Sequence, residues 1–282
     1  MIAYLGTGLL GTGFVKAMLR QGLKVNVWNR THGKAAALVA DGAEAFEKVT
    51  DAVRGATRVH LTLKDDVSVN KVLDAAKGDL APGTVIIDHT TTSVSGARER
   101  TEKWKERGYT YIHAPVFMGP QNALDSTGFM LVSGDQDAIA LVLYELEKMT
   151  GKVINFGTET GKAAGMKLAG NLFLVAFTAG IADTLALTKA MGIPVTDVAA
   201  LFNEWNPGAM LPARLHRMTS GKYDNPSWEL DMARKDTGLM MNEAQQGGVP
   251  LAIIPAVAAE MDRWIDRGFG KSDWAVIAKD NL

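Results

Sequence analysis

The stretch IAYLGTGLLGTGFVKAML, residues 2–19, decides how the first half of this chain folds. Ile2, Ala3, Tyr4 and Leu5 make an apolar run suited to a strand buried on both faces, and Phe14, Val15, Met18 and Leu19 recur at helical spacing after it. Between the two lie Gly6, Gly8 and Gly11. In a strand–turn–helix unit the first glycine permits a tight strand exit, the second lets the backbone approach a pyrophosphate, and the third lets the helix pack closely on the sheet. The phosphates then sit at the helix N-terminus, against its free N–H groups. Such a glycine pattern is weak evidence by itself. Here a second strand pattern, LKVNVW at residues 23–28, ends at the spacing a dinucleotide site requires. Leu9 and Leu10 in the turn, and Leu63 at the end of a later strand pattern, are grouped with it as cofactor contacts.

The residues after that second strand bear on which dinucleotide binds. A carboxylate there would hold the ribose 2′-hydroxyl of NAD, whereas this chain has Asn29, Arg30, Thr31 and, further on, Lys34. Arginine pairs with a phosphate through a planar fork, and Asn29 and Thr31 add neutral hydrogen bonds. The expected cofactor is NADP.

With 282 residues, 47% hydrophobic and 22% charged, the composition is that of a soluble globular protein large enough for two domains. Thirty basic and 31 acidic residues leave a net charge of −1, so no global field recruits nucleic acid or an anionic membrane. The absence of cysteine removes disulfides, thiolate metal sites and cysteine nucleophiles, and suits a cytoplasmic enzyme. His32, His60, His89, His113 and His216 are scattered without zinc-ligand spacing, so no metal is expected. The first strand starts at residue 2, which is not the pattern of a signal peptide.

Strand patterns recur as IAYL, KVNVW, TRVHLTL, TVIIDH, TYIHAPV and GFMLVSG, with helix-like segments between the first few. This is the signature of a doubly wound α/β domain, expected over residues 1–160. Residues 162–191 read as one long helix without proline, closed by Gly192 and Pro194. Its length approaches a membrane span, but Lys162, Lys167, Asp183 and Lys189 interrupt it, so the reading is a buried helix between domains. VTDVAALFNEW, SWELDMARKDTGLMMNEAQQ and IIPAVAAEMDRWIDRG are helical in period, so residues 161–282 should form an all-α domain.

Within the long helix, Lys167 and Asn171 are four residues apart and share a face, in a run of small residues, GKAAGMKLAGN, that lets a ligand come close. Partial burial there would lower the lysine pKa and make it a proton donor to a carbonyl oxygen. At this point the chain resembles the β-hydroxyacid dehydrogenase family, which includes 3-hydroxyisobutyrate dehydrogenase and the glyoxylate and succinic semialdehyde reductases. GTGLLG resembles its cofactor loop. DHTTTS, residues 88–93, resembles its Asp-x-Ser-Thr segment with Thr90 in place of serine and Thr91 retained. APVFMG, residues 114–119, resembles the Ala-Pro-Val-Ser-Gly-Gly stretch beside the substrate, with Ala123 and Gly128 continuing the pattern. The resemblance implies that Lys167 is the catalytic acid and base and that Asn171 and Thr91 position the substrate, with Thr91 also touching the cofactor. Thr90, Phe117, Met118 and Gly119 would then line the substrate pocket. WELDMARKD, residues 228–236, resembles a segment whose Lys-Asp pair, here Lys235 and Asp236, approaches the cofactor, with Trp228 bordering the nicotinamide.

The departures from the family pattern matter as well. Phe117 and Met118 replace Ser and Gly, which exchanges a hydroxyl for a bulkier apolar wall and implies a less polar substrate. Gly170 replaces an asparagine and Val94 a proline. The resulting expectation is an NADPH-dependent reductase of small aldehydes, ketones or β-hydroxyacids. One alternative is an imine reductase, a related group with the same cofactor turn but usually Asp or Tyr in place of the lysine. A dinucleotide-binding protein without turnover is the other, against which the retained Lys167 and Asn171 speak. Leu201, Phe202, Trp205, Met210, Leu211, Ile253, Ile254 and Trp264 are more apolar surface than a small helical domain hides, so a homodimer or higher homo-oligomer is expected.

Overall fold

In the computed structural model, which describes residues 1–282, the opening stretch forms strand β1 (Ile2–Leu5) and helix α1 (Leu9–Arg20). The chain continues through β2 (Val25–Trp28), α2 (His32–Ala36), β3 (Glu44–Phe46), α3 (Val49–Val53), β4 (Arg58–Leu61) and α4 (Asp66–Ala76). Next come β5 (Val85–Asp88), α5 (Val94–Glu106) and β6 (Thr110–His113). These six strands form one parallel sheet in the order β3-β2-β1-β4-β5-β6. The order reverses direction between β1 and β4, the switch point at which doubly wound sheets bind dinucleotides. Leu5 is in register with both Trp28 and Leu61, so Gly6, Asn29 and Thr62 leave the same edge of the sheet together.

Alternation along β1 sends Ile2 and Tyr4 to one face and Ala3 and Leu5 to the other. One layer buries Tyr4 with Phe14, Met18, Val27, Ile87 and Ile112. The opposite layer buries Leu5 with Val59, Leu61, Leu73, Ile86 and Trp104. Each such side chain contributes roughly 1.5–3 kcal/mol of transfer free energy, which is why the β1 pattern reads clearly in the sequence.

A second, three-stranded sheet follows, built from β7 (Val116–Phe117), β8 (Phe129–Val132) and β9 (Lys152–Asn155), with α6 (Pro120–Leu124) and α7 (Gln136–Glu147) between them. β7 runs antiparallel to β8, and β9 parallel to it. The pattern TYIHAPV, read as one strand, is therefore two. Its break falls at Ala114–Pro115, because proline has no N–H to donate to a ladder, while its carbonyl accepts from Leu131 N–H at 2.8 Å.

The remaining elements are α8 (Lys162–Ala190), α9 (Val195–Glu204), α10 (Leu211–Thr219), α11 (Leu230–Gln246) and α12 (Ile254–Trp264). The chain divides into compact units Met1–Leu172 and Phe173–Leu282. In the first unit, Ala163 N–H at the start of α8 donates to Ser133 Oγ at 2.9 Å, and Val94 at the start of α5 lies against Gly161 and Gly165. In the second, the buried Asp183 carboxylate accepts the N–H groups of Ala252, Ile253 and Ile254 at 2.6, 2.9 and 3.2 Å, capping α12 from the last third of α8. The core of this unit gathers Tyr223, Leu230, Ala233, Met261 and Trp264.

Two expectations need correction. The long helix is not buried in the single chain: Leu172 is 72%, Leu174 57% and Val175 69% exposed, and only 6% of its most apolar window is covered. Its apolar composition records a need for cover without specifying the source. By length and composition alone it is also a candidate to cross a bilayer. Trp264, counted among the surplus apolar residues, is instead fully buried in the second unit's own core.

Candidate active site

The turn after β1 shows why each glycine is there. Gly6 has φ +102° and approaches the chain after β4 so closely that a Cβ would come 2.9 Å from Leu63 Cδ2 and strike the Thr62 carbonyl. A Cβ on Gly11 would collide with the Gly6 carbonyl, so the third glycine sets the approach of α1 to β1. Gly8 is different. Its φ of −72° suits any residue and a Cβ there would meet nothing, so no contact within the protein requires glycine. The bare backbone at the N-terminus of α1 is a cradle that fits a pyrophosphate, and a side chain would fill it. Gly13 was not singled out in the sequence, yet a Cβ there would come 2.7 Å from the Pro120 carbonyl; it lets α6 lie directly on α1.

A cleft of about 530 Å³ opens at this turn, between a wall of Gly8, Leu9, Leu10, Asn29, Arg30, Thr31 and Lys34 and a wall of Leu63, Lys64, Ser68 and Lys71. Asn29 ties the parts together: its Oδ1 accepts Thr7 N–H at 3.1 Å and its Nδ2 donates to the Thr31 carbonyl at 3.0 Å. Arg30 and Lys34 are left exposed on the cleft wall. Lys64 and Lys71 had drawn no attention in the sequence. Lys64 directly follows Leu63, and Lys71 needs the start of α4 to turn toward the cleft, which Asp65 arranges by capping Ser68 N–H at 2.8 Å.

The threonine segment is held by a buried polar network. Arg100, inside the fold, donates to Asp66 at 2.8 Å and to the Tyr111 hydroxyl at 2.9 Å, and that hydroxyl donates to Asp88 at 2.6 Å. Asp88 in turn accepts Thr90 N–H at 2.9 Å, and Asp66 accepts Ser93 N–H at 2.9 Å. Burial pushes the Asp66 carboxyl up, but the Ser93 N–H and the Arg100 guanidinium outweigh it and hold the group below its usual range. With both ends of the segment fixed, the Thr90 hydroxyl turns inward to accept Leu63 N–H at 3.0 Å, and Thr91 is exposed. Thr90 thereby braces the cleft wall, while Thr91 stays exposed beside it.

Lys167 is 9% exposed, and its Nζ donates to Asn171 Oδ1 at 3.0 Å, as their spacing on one helix face anticipates. Desolvation holds its pKa below the ordinary lysine range. Its Nζ also lies 4.1 Å from the centre of the Phe117 ring. A Cβ on Gly170 would collide with that same ring, so the two departures at 117 and 170 are one packing event. Met118 turns away toward the apolar core and Gly128, and Gly119 N–H donates to Asn122 Oδ1 at 2.9 Å at the start of α6. Trp228, Lys235 and Asp236 belong to the second unit. Trp228 meets Trp274 edge to face at 5.4 Å, and Lys235 pairs with Asp236 at 2.9 Å.

A parallel sheet of this strand order, with a bare glycine cradle at its switch point, defines a dinucleotide-binding domain of the Rossmann class. Residues 1–157 match the family described as the NAD binding domain of 6-phosphogluconate dehydrogenase, and residues 159–281 match the NADPH-dependent reductive aminase-like C-terminal domain. The chain belongs to the β-hydroxyacid dehydrogenase family of nicotinamide-dinucleotide oxidoreductases. It is 27% identical to NAD-dependent L-serine dehydrogenase of Pseudomonas aeruginosa over 99% of this chain and 96% of the relative. It is 25% identical to 2-(hydroxymethyl)glutarate dehydrogenase of Eubacterium barkeri over 99% and 93% respectively. In fold it resembles the imine reductase of Myxococcus stipitatus in complex with NADP+, with a TM-score of 0.93 over 99% of both chains and 21% identity.

Proposed function

We propose that this oxidoreductase uses NADPH to reduce small aldehydes and ketones, and oxidises the corresponding alcohols in reverse, with Lys167 as general acid and base. The observation that carries the reading is the desolvated Lys167 ammonium hydrogen-bonded to Asn171. When bound, the nicotinamide dinucleotide supplies or takes up the hydride at the carbonyl carbon. The chain's own residues do the rest. The α1 N-terminus at Gly8 holds the pyrophosphate; Arg30, Thr31 and Lys34 hold the 2′-phosphate, with Asn29 fixing the turn that carries them. Trp228 and Lys235 are assigned to the cofactor on the family resemblance. Lys167 gives a proton from Nζ to the carbonyl oxygen as that oxygen gains charge, and takes it back in the oxidative direction. Asn171 occupies one of the three Nζ protons and so aims the remainder, and the Thr91 hydroxyl orients the substrate.

The reductive aminase-like match over residues 159–281 supports a second reading, in which Lys167 protonates an imine nitrogen instead. Following NADPH absorbance with aldehydes alone, with β-hydroxyacids and NADP+, and with ketone–amine mixtures distinguishes the two. Lys167-dependent turnover of aldehydes alone is the expected result. Turnover only when amine is present selects the imine reading, and no turnover with any carbonyl, imine or hydroxyacid refutes both.

A further inference from the structure

Phe117 sits on β7, whose pairing with β8 fixes its backbone opposite Phe129. The neighbouring Gly128, at φ +83°, lies so close that a Cβ would come 2.9 Å from the Phe117 carbonyl, which leaves that strand little freedom to shift. The ring enters the gap left by the missing side chain at Gly170, where a Cβ would come 2.8 Å from Cε1 and 3.2 Å from Cε2. From there its face covers the Lys167 ammonium, with 4.1 Å from Nζ to the ring centre, while Asn171 Oδ1 takes an Nζ proton at 3.0 Å. An ammonium has three protons. With one on Asn171 and a ring over another side, what remains suits a single neutral acceptor, a carbonyl oxygen. A carboxylate beside the reacting carbon would have to shed water against an aromatic face that offers no donor.

We propose that the Phe117 ring, seated in the gap left by Gly170, is a selectivity element that bars carboxylate-bearing compounds from Lys167 and makes uncharged aldehydes and ketones the substrate class. The proposal rests on Lys167 being the proton donor. Its consequence is that positions 117 and 170 act as a unit: whatever fills one must be absent from the other.

The test is a pair of aldehydes that differ in charge, 4-oxobutanoate and its methyl ester, assayed with NADPH on the whole enzyme. The wild type should favour the ester in kcat/KM by at least about tenfold, and F117S should erase that preference by raising the value for the acid. G170A should lose about tenfold or more on the ester, and F117S/G170A should return to the F117S values. Equal or reversed preference in the wild type, an unchanged ratio in F117S, or a fully active G170A each overturn the proposal. NADPH affinity reports whether each variant is folded; if F117S fails that check, the wild-type ratio decides. If the wild type reduces neither aldehyde, that failure belongs to the reductase reading, and calorimetry of the NADPH-loaded protein with succinate decides this proposal instead. F117S must then bind succinate at least about tenfold more tightly than wild type, and any smaller gain overturns it.

Discussion

The role proposed for Lys167 rests on a cation that has given up most of its water without gaining a carboxylate partner. K167A should lower kcat by about 10²–10⁴-fold, the worth of a positioned general acid, and leave NADPH affinity nearly intact. N171A should cost less and raise KM as well, because Asn171 aims the proton and does not supply it. The wild-type reduction rate should fall as pH rises through a lysine pKa below the ordinary 10.5, a limb that K167A should lack; a K167A enzyme with near wild-type kcat would remove Lys167 from the mechanism. At the other end of the site, R30A should weaken NADPH by roughly 1.5–3 kcal/mol and leave NADH almost unchanged, as calorimetry with both cofactors would show. Equal losses would take Arg30 away from the 2′-phosphate. These residues were legible because their spacing carries the signal: three glycines after a strand, a basic turn after the next, a lysine and an asparagine one helical turn apart. The ring of Phe117 over Lys167 was not legible, since positions 117 and 170 are far apart in sequence and only the fold shows that the large residue at one requires glycine at the other.

Strands β4, β5 and β6 bring three histidines under the sheet edge, which scattered positions in a sequence cannot announce. His89 Nδ1–H donates to the Ala114 carbonyl at 2.8 Å, so its Nε2 is free to accept from His60 Nδ1–H at 3.0 Å, a pairing that requires the accepting His89 ring to be neutral. Burial is the main cause that lowers all three: His89 to about 4, His60 well below its usual value, and His113 in the same direction. Their folded-state pKa values lie below the unfolded one near 6.5, so the stability they contribute is complete above that pH and drains away as pH falls toward 4 and lower. For His89 alone the loss by pH 4 is of the order of 3 kcal/mol. Urea melts at pH 7 and pH 4.5 should show H89Q losing less stability on acidification than wild type; parallel losses would mean that His89 takes up a proton as readily in the fold as in the unfolded chain. Other elements escaped the sequence for the opposite reason, weakness of pattern. β3 and β9 carry only EAF and KVIN, short and partly polar, and become strands by pairing with β2 and β8 rather than by their own periodicity.

For the whole molecule, the unsolved term is the apolar surface of the helical half. Leu172, Leu174 and Val175 on α8, Leu201 and Trp205 at α9, and Met210 and Leu215 around α10 are all well exposed in the single chain. Patches of this extent are characteristic of surfaces that meet another molecule. The composition of the helix had foretold the need for cover, and what a single sequence could not supply was the distinction between cover from the same chain and cover from another. Burial in a bilayer is disfavoured by Asp183, whose carboxylate lies in the last third of the helix and is committed to three N–H groups at the start of α12, a polar attachment that lipid does not supply. A second copy of the same chain supplies a surface of matching character, and closed two-fold pairing hides it on both copies at once. Light scattering at micromolar concentration should therefore give twice the 30.2 kDa chain mass or a higher multiple. Placing charges on the face, as in L174K combined with L201E, should shift the mass toward one chain, because unpaired charges would have to be desolvated in the contact. A wild-type protein that stays monomeric, or one that pellets with neutral lipid vesicles in place of self-associating, would assign the exposed face of α8 to a different partner.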